Sequence, residues 1–433
     1  MSPPMVGFIG IIILFILIVA RMQIGISMGL VGFLGFAYIA GWAPAFGVLK
    51  TVPYTTFASY DMSVIPLFIL MGCFAFAAGM TEDLYHSVHK LFGHLKGGLA
   101  MATVAACAGF AAISGSSLAT AATLGKVVMP EMKKYNYDEG LASGSIAAGG
   151  SIGILIPPSV ILIIYGIITE QSIGKLFLAG FIPGVLEALF YIATIVVLTR
   201  WKPDLGPRGP RTSKKEKFIS LLKTWEVVVL FLVVIGGIYA GIFTPTEAAG
   251  VGAFGTFLFA VRRRKMTWDN FKTSLADTTQ TTGMLFIIVL GAMVLGYFFS
   301  VTRLPFELAS MVSELPVNRY VILIMILVVV LLLGCVMDSL AIVLLTVPVF
   351  YPLILNLGFD PIWFGILVVR VTEMGLITPP VGLNVYIIQG TTGAPMQTIF
   401  KGVLPFLIAD VCHVALLIAI PQLSLFLPGL MDA

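Results

Sequence analysis

Long apolar blocks separated by short polar punctuation set the pattern of this chain. Residues 321–337 and 227–243 carry no charge, and each is long enough to cross a hydrocarbon core as a helix. Strand-like alternation is absent, and lipid tolerates only helices and closed barrels. The pattern therefore predicts an all-α polytopic membrane protein. Counting such blocks gives about eleven or twelve spans, plus several ambiguous broken ones. The first block, residues 6–20, has no basic leader and no obvious small-residue cleavage site. It reads as a retained first helix rather than a signal peptide.

Four apolar stretches are too long and too interrupted to be single straight spans. Residues 97–125 carry Ser114-Gly115-Ser116-Ser117, and residues 140–169 carry Gly149-Gly150-Ser151-Ile152-Gly153 and then Pro157-Pro158. Residues 339–359 follow Asp338 and contain Pro348 and Pro352; residues 374–400 contain Gly375, Thr378-Pro379-Pro380, Gly382 and Asn384. Proline inside a helix removes an amide donor and displaces a carbonyl, while glycine permits the turn. At membrane depth such breaks survive only where protein or a water-lined cavity covers them.

The interruptions recur in register. A shift of 222 carries Pro157-Pro158 onto Pro379-Pro380 and Ser116-Ser117-Leu118-Ala119 onto Asp338-Ser339-Leu340-Ala341. The same shift carries Pro130 onto Pro352, Gly153 onto Gly375, Gly180 onto Gly402 and Pro183 onto Pro405. So many helix breakers in one ungapped register indicate an internal repeat, and paired broken helices point to a substrate site. The matched units run from about residue 61 to 200 and from 283 to about 423. Residues before 61 and the helices over 225–261 fall outside them and suit a scaffold. The register does not say whether the copies are parallel or inverted.

Composition agrees with the membrane reading. Of 433 residues, 59% are hydrophobic and 11% charged, against about 25% charged in soluble proteins. The net charge of +4 is no nucleic-acid signature. Residues 200–217 hold seven basic and two acidic side chains, and Arg262-Arg263-Arg264-Lys265 is the next basic cluster. Both should be cytoplasmic, with spans 225–242 and 248–261 between them and the turn 243–247 on the opposite side. Cys73, Cys107, Cys335 and Cys412 lie in apolar stretches without metal-ligand spacing and read as packing residues.

Ser114, Ser116 and Ser117 offer hydroxyls, and a broken helix offers carbonyls. That donor set suits a hard cation such as Na+, although small residues also let helices pack closely. Asp338 has no charged neighbour in sequence between Arg319 and Asp360. An acid at depth requires a partner: a Na+ ion, a helix start that it caps, or a proton. Arg370 and Glu373 lie three apart on one helix and either pair with each other or serve an ion or substrate. The first unit has Ala148 and Ser151 there. Glu247 reads as a helix cap, and His413 as a packed or solvated residue. No catalytic residue emerges. Ser114-Gly115 follows Ala112-Ile113 and Asp338 follows Cys335-Val336-Met337, so both intramembrane protease motifs fail. Phosphate loops and dinucleotide fingerprints are absent. A hydrolase using Ser116 or Asp338 is disfavoured.

With these residues in place, the chain resembles the large membrane subunit of tripartite ATP-independent periplasmic (TRAP) transporters over nearly its whole length. The carriers are Ile65-Pro66-Leu67-Phe68-Ile69-Leu70-Met71-Gly72, Ser114-Gly115-Ser116-Ser117 and Gly153-Ile154-Leu155-Ile156-Pro157-Pro158-Ser159. They continue with Thr244-Pro245-Thr246-Glu247-Ala248-Ala249, Met337-Asp338 and Glu373-Met374-Gly375-Leu376-Ile377-Thr378-Pro379-Pro380-Val381-Gly382-Leu383-Asn384. No extra four-helix segment precedes these motifs, so the unfused form, with a separate small subunit, is expected.

The resemblance implies a bacterial inner-membrane, multi-pass, elevator-type secondary transporter with two inverted repeats. Each repeat would contribute a re-entrant hairpin and an interrupted helix: near 98–130 and 140–169 within 61–200, and near 321–356 and 362–390 within 283–433. Residues 1–60 and 225–282 would be scaffold, and 201–224 a cytoplasmic linker. Na+ would drive uptake of a small organic anion, such as sialic acid or a C4-dicarboxylate. The partners would be a small membrane subunit (Q) and a periplasmic binding protein (P). Na+ would lie at Ser114, Gly115, Ser116, Gly149, Gly153 and Pro157, and again at Asp338, Ser339, Gly375, Thr378 and Pro379. The substrate would meet Ser116, Ser117, Ser159 and Asn384. The alternative is a Na+- or H+-coupled anion transporter or antiporter that needs no binding protein.

Overall fold

Backbone in lipid must satisfy its own hydrogen bonds, and this chain does so with helices. A computed structural model describes residues 2–313 and 317–431, and among these there are helices and turns but no strand. Within the expected second repeat, residues 314–316 and 432–433 lie outside the described residues.

The first half contains α1 (Pro3–Val19), α2 (Ile24–Ala40), α3 (Trp42–Phe57), α4 (Val64–Ala77) and α5 (Met80–Phe92). It continues with α6 (Gly98–Ser114), α7 (Ser117–Lys134), α8 (Glu139–Ser151), α9 (Val160–Thr169) and α10 (Ile173–Trp201). After α11 (Lys214–Lys223) come α12 (Trp225–Tyr239), α13 (Pro245–Arg262), α14 (Trp268–Thr302), α15 (Leu304–Ser313) and α16 (Arg319–Gly334). The chain closes with α17 (Ser339–Asn356), α18 (Pro361–Gly375), α19 (Leu383–Thr392), α20 (Met396–Ala419) and α21 (Gln422–Gly429).

The shift of 222 maps α7 onto α17 end for end. It maps α1, α2, α5, α6, α8 and α9 onto α12, α13, α15, α16, α18 and α19 to within two residues. α3 and α4 fall on the single α14, and α10 falls on α20 and α21. The repeat thus takes in α1–α3 and α12–α13, which the sequence register left outside the matched units. Helix breakers mark a register in sequence, whereas plain apolar helices exchange their side chains freely and leave no mark.

Among the described residues, five helical segments are long and apolar enough to cross a membrane alone, or six if α11 and α12, bent by 48°, count as one. That is fewer than the eleven or twelve expected. The remaining apolar helices, α1, α2, α6, α9 and α16, are only 10–17 residues long, and α6, α9 and α16 are parts of hairpins or interrupted spans.

Both hairpins turn back to the face they came from. Gly97 N donates to Gly206 O (2.9 Å) at the start of α6, and Asp138 N donates to Leu205 O (3.0 Å) just past α7. The first hairpin therefore opens on the basic loop. The arms of the second meet likewise, with Arg319 Nη1 donating to Leu357 O at 3.4 Å. Nearby, Gln171 Nε2 donates to Tyr351 Oη (3.0 Å) and Tyr165 Oη to Pro361 O (2.5 Å). Between these two ends lies α10, which starts just after Gln171 and finishes at the basic loop. Its 29 residues span about 43 Å at ~1.5 Å each. The hairpins enter from opposite faces, and the repeats are inverted. Arg263 binds Asp83 Oδ2 (2.6 Å) and Glu226 Oε2 (2.5 Å), and Lys217 Nζ reaches Leu91 O (3.3 Å). Both basic clusters thus share the first hairpin's face, the cytoplasmic one by their charge.

The halves also interlock. A methyl group on Gly25 of α2 would stand 2.7 Å from Ile287 O of α14, and one on Gly32 would stand 2.7 Å from Leu295 Cα. Glycine at these points allows backbone to meet backbone. In the symmetry-related pair, Gly252 of α13 faces Met71 of α4, and Phe74 meets Phe257 with ring centroids 5.5 Å apart.

Candidate functional site

Each hairpin tip is a helix end followed at once by a capped helix start. Gly115 closes α6 in the left-handed region (φ 60°), and Ser116 takes an extended conformation and caps α7 by accepting from Ala119 N (3.4 Å). In the second repeat Asp338 occupies the same place, and its Oδ1 accepts from Leu340 N (3.1 Å) and Ala341 N (3.2 Å). Of the three readings open for Asp338, the structure displays the cap. Capping and ion binding use different lone pairs, so the cap excludes neither of the others.

The interrupted helices supply the opposing surface. α8 ends at Ser151, and Ser159 starts α9 by accepting from Leu162 N (3.3 Å). α18 ends at Gly375, and the chain re-enters α19 after Gly382, which has φ 61°. The Pro157-Pro158 and Pro379-Pro380 bonds are both cis. At the first break a Cβ on Gly115 would lie 2.8 Å from Pro158 O, and one on Gly153 would lie 3.5 Å from Ser117 Cα. At the second, Gly382 N donates to Cys335 O (3.3 Å), and a Cβ on Gly375 would lie 2.5 Å from Gly334 Cα. Tip and break therefore touch backbone to backbone in both repeats. These are the places where carbonyls freed from helices gather.

Most of the expected site residues converge here. Ser114 Oγ lies 3.0 Å from Thr120 Oγ1, beside the first break. Thr378 Oγ1 donates back to Met374 O (2.7 Å), and Pro379 follows it in an exposed position. Asn384 is buried, its Nδ2 donating to Ala147 O of α8 (3.4 Å), while its Oδ1 has no hydrogen-bond partner. Ser159 is fully buried, and its bond to Leu162 N is the cap. Pro157 is buried in the first break. Gly149 does not join the tip: a Cβ there would meet Cys107 Sγ at 2.7 Å, within α6. A helix packed along its neighbour has contacts well below its end, and sequence spacing does not distinguish the two.

Arg370 and Glu373 do not pair with each other. Glu373 points toward the second tip, where Ser339 Oγ donates to its Oε1 (2.5 Å). Ser117 holds the position of Ser339 in the first repeat, where Ser151 replaces Glu373. Glu373 Oε2 is buried without a partner. Arg370 turns the other way, between α10 and α20. It meets Glu187 Oε1 at 3.1 Å, makes a close ion pair with Asp410, and donates to His413 Nδ1 (3.1 Å) and Tyr191 Oη (3.4 Å). His413 is thus a packed residue, and Glu247 a cap, its Oε2 accepting from Thr244 N at 2.8 Å. Glu187 and Asp410 went unnoticed in the sequence. The rule that singles out Asp338, an acid deep in an apolar helix, applies equally to both.

Among the described residues, the cluster around Arg370 sets one guanidinium against three fully buried carboxyl groups, Glu187, Glu373 and Asp410. Such an excess requires a proton or a bound cation to balance it.

Residues 11–423 match the family described as "Tripartite ATP-independent periplasmic transporter, DctM component". The chain is 37% identical to the C4-dicarboxylate TRAP transporter large permease protein DctM of Pseudomonas aeruginosa, over 87% of this chain and 88% of that one. It is 36% identical to the sialic acid TRAP transporter large permease protein SiaM of Vibrio cholerae, over 86% and 87%. It is 32% identical to the isethionate TRAP transporter permease protein DctMQ of Oleidesulfovibrio alaskensis, covering 95% of this chain and 65% of that protein. In fold it is similar to the Alcanivorax borkumensis YdaH transporter (TM-score 0.63, 14% identity, 90% and 89% coverage). The chain belongs to the DctM component family of tripartite ATP-independent periplasmic transporters, and is a multi-pass inner-membrane transport protein rather than an enzyme.

Proposed function

We propose that this chain is the membrane subunit that moves a small organic anion inward, driven by Na+. A small membrane subunit and a periplasmic binding protein act with it. The observation that carries the reading is the doubled contact of hairpin tip and helix break, approached from opposite faces. Half-helix N-termini at Ser116, Asp338, Ser159 and Gly382 present amide groups to an anion, while freed carbonyls and hydroxyls suit Na+. The excess of buried carboxyl groups favours cations as the coupling species.

The relatives' names give C4-dicarboxylate, sialic acid and isethionate. All three are small organic anions, and that class is proposed for this chain. Na+ binds between each tip and break, with Ser114, Ser116, Asp338 and Thr378 supplying side-chain oxygens. Glu373 holds Ser339 in place beside the second ion site. The substrate carboxylate or sulfonate then docks near Ser116 and Asn384. In the elevator movement, α6–α10 and α16–α20 carry the site past a scaffold formed by α1–α4 and α12–α14. The glycine-lined pairing of α2 with α14 supports that division.

Proteoliposomes holding this chain and the small subunit, supplied with the binding protein, test the reading. Asp338→Ala is expected to abolish Na+-dependent uptake. Uptake that kept its rate and Na+ dependence would remove Asp338 from the ion site. Uptake by this chain alone would replace the three-component reading with a binding-protein-independent carrier.

A further inference from the structure

The two repeats differ sharply at one place far from the tips. On the cytoplasmic face, His86 and His89 lie three residues apart on α5, and Glu131 faces them from the outgoing arm of the first hairpin. One ligand atom from each lies within 4.8 Å of the others. His89 Nδ1 stands 3.2 Å from Glu131 Oε2, and Tyr85 Oη donates to the same oxygen at 3.5 Å. The Tyr135 ring packs edge-on against His89, with centroids 6.1 Å apart. In the second repeat the shift of 222 puts Leu308, Met311 and Leu353 at these positions. Leu308 and Leu353 line an apolar groove there. The fold therefore does not require polar groups at this contact.

We propose that His86, His89 and Glu131 form a binding site for a borderline divalent metal ion, of which Zn2+ is the representative. Two imidazoles and a carboxylate are a donor set that Zn2+ accepts, with water completing a tetrahedron. Zn2+ needs its ligand atoms about 3.3–3.5 Å apart for bonds of ~2.0–2.2 Å, so a small rotation of the exposed His86 closes the site. Tyr85 orients the carboxylate from outside the ligand set. A bound ion fastens α5 to the first hairpin and restrains that hairpin alone, since the second has no equivalent.

Zn2+ titration of the tag-free, chelator-washed full chain tests this by calorimetry. One Zn2+ per chain is expected. His86→Ala and Glu131→Gln should remove that binding, and Tyr85→Phe should weaken it about tenfold. Cys412→Ala, at an exposed thiol away from the site, should leave it unchanged. His86 is exposed, so the metal-free melting temperature of His86→Ala should equal that of the wild type, whereas Zn2+ should raise only the wild-type value. Equal Zn2+ affinity in wild type, His86→Ala and Glu131→Gln, or no binding by the wild type, would overturn the site. These readouts need neither Na+ nor substrate, so they stand apart from the transport reading.

Discussion

At the first tip Ser116 starts α7, and at the second Asp338 starts α17 in the same place. Beyond the tips, Ala148, Ser151, Ala188 and Tyr191 in the first half correspond to Arg370, Glu373, Asp410 and His413 in the second. The backbone is duplicated, but most of the buried charge belongs to one copy. Glu187 is the first half's contribution, and its counterpart is Ala409. The two copies share their backbone geometry, but their electrostatics are unequal. The two proposed ion sites therefore have unequal electrostatic surroundings.

Substitutions that exchange or erase these differences probe the comparison. The largest effect is expected at Arg370. Arg370→Met leaves Glu187 and Asp410 buried without their cation and should cost about 3–5 kcal/mol, read as the loss in thermal or denaturant stability. A companion Asp410→Asn that restored part of the stability would confirm charge as the cause. Next come the glycines. Gly375→Ala places a methyl 2.5 Å from Gly334 Cα, whereas Gly153→Ala finds 3.5 Å to Ser117 Cα. The first should lose about 1–3 kcal/mol and the second less, so equal losses would mean that the two breaks are packed alike.

The caps separate stability from ion binding. Ser116→Ala should lose about 1 kcal/mol through α7 alone. Asp338→Asn keeps the cap and should melt close to the wild type, yet need more Na+ for half-maximal uptake; an unshifted Na+ curve would limit Asp338 to capping. The smallest effect belongs to Glu247. Hydrogen bonds from Thr244 hold its carboxyl pKa below the ordinary value. A folded pKa lower than the unfolded one adds stability above the unfolded value, and that stability disappears as pH falls through the folded value. The melting difference between wild type and Glu247→Gln should therefore shrink below about pH 4–5 and stay constant above it.

The sequence made the helix breaks legible because Pro157, Pro379, Gly153 and Gly375 act locally. It also pointed to the tips, since hydroxyl and acidic residues seldom interrupt apolar runs without a role. It did not reveal which way Arg370 and Glu373 face, because residues three apart on a helix share a side only approximately and their partners come from other helices. Nor did it extend the repeat to α2 and α13. Their equivalence lies in position and packing, as Gly25 and Gly32 meet α14 where Met71 meets Gly252.

That interlocking bears on biogenesis. α2 finds its close partner in α14, about 250 residues later in the chain, and α4 finds its partner in α13. While the ribosome is still making the second half, the first half has inserted helices whose glycine-lined faces remain uncovered. Neither half is a finished body by itself. Maturation waits for α14 to arrive, and a chain truncated before it would present those faces to lipid and to the membrane's quality-control proteases.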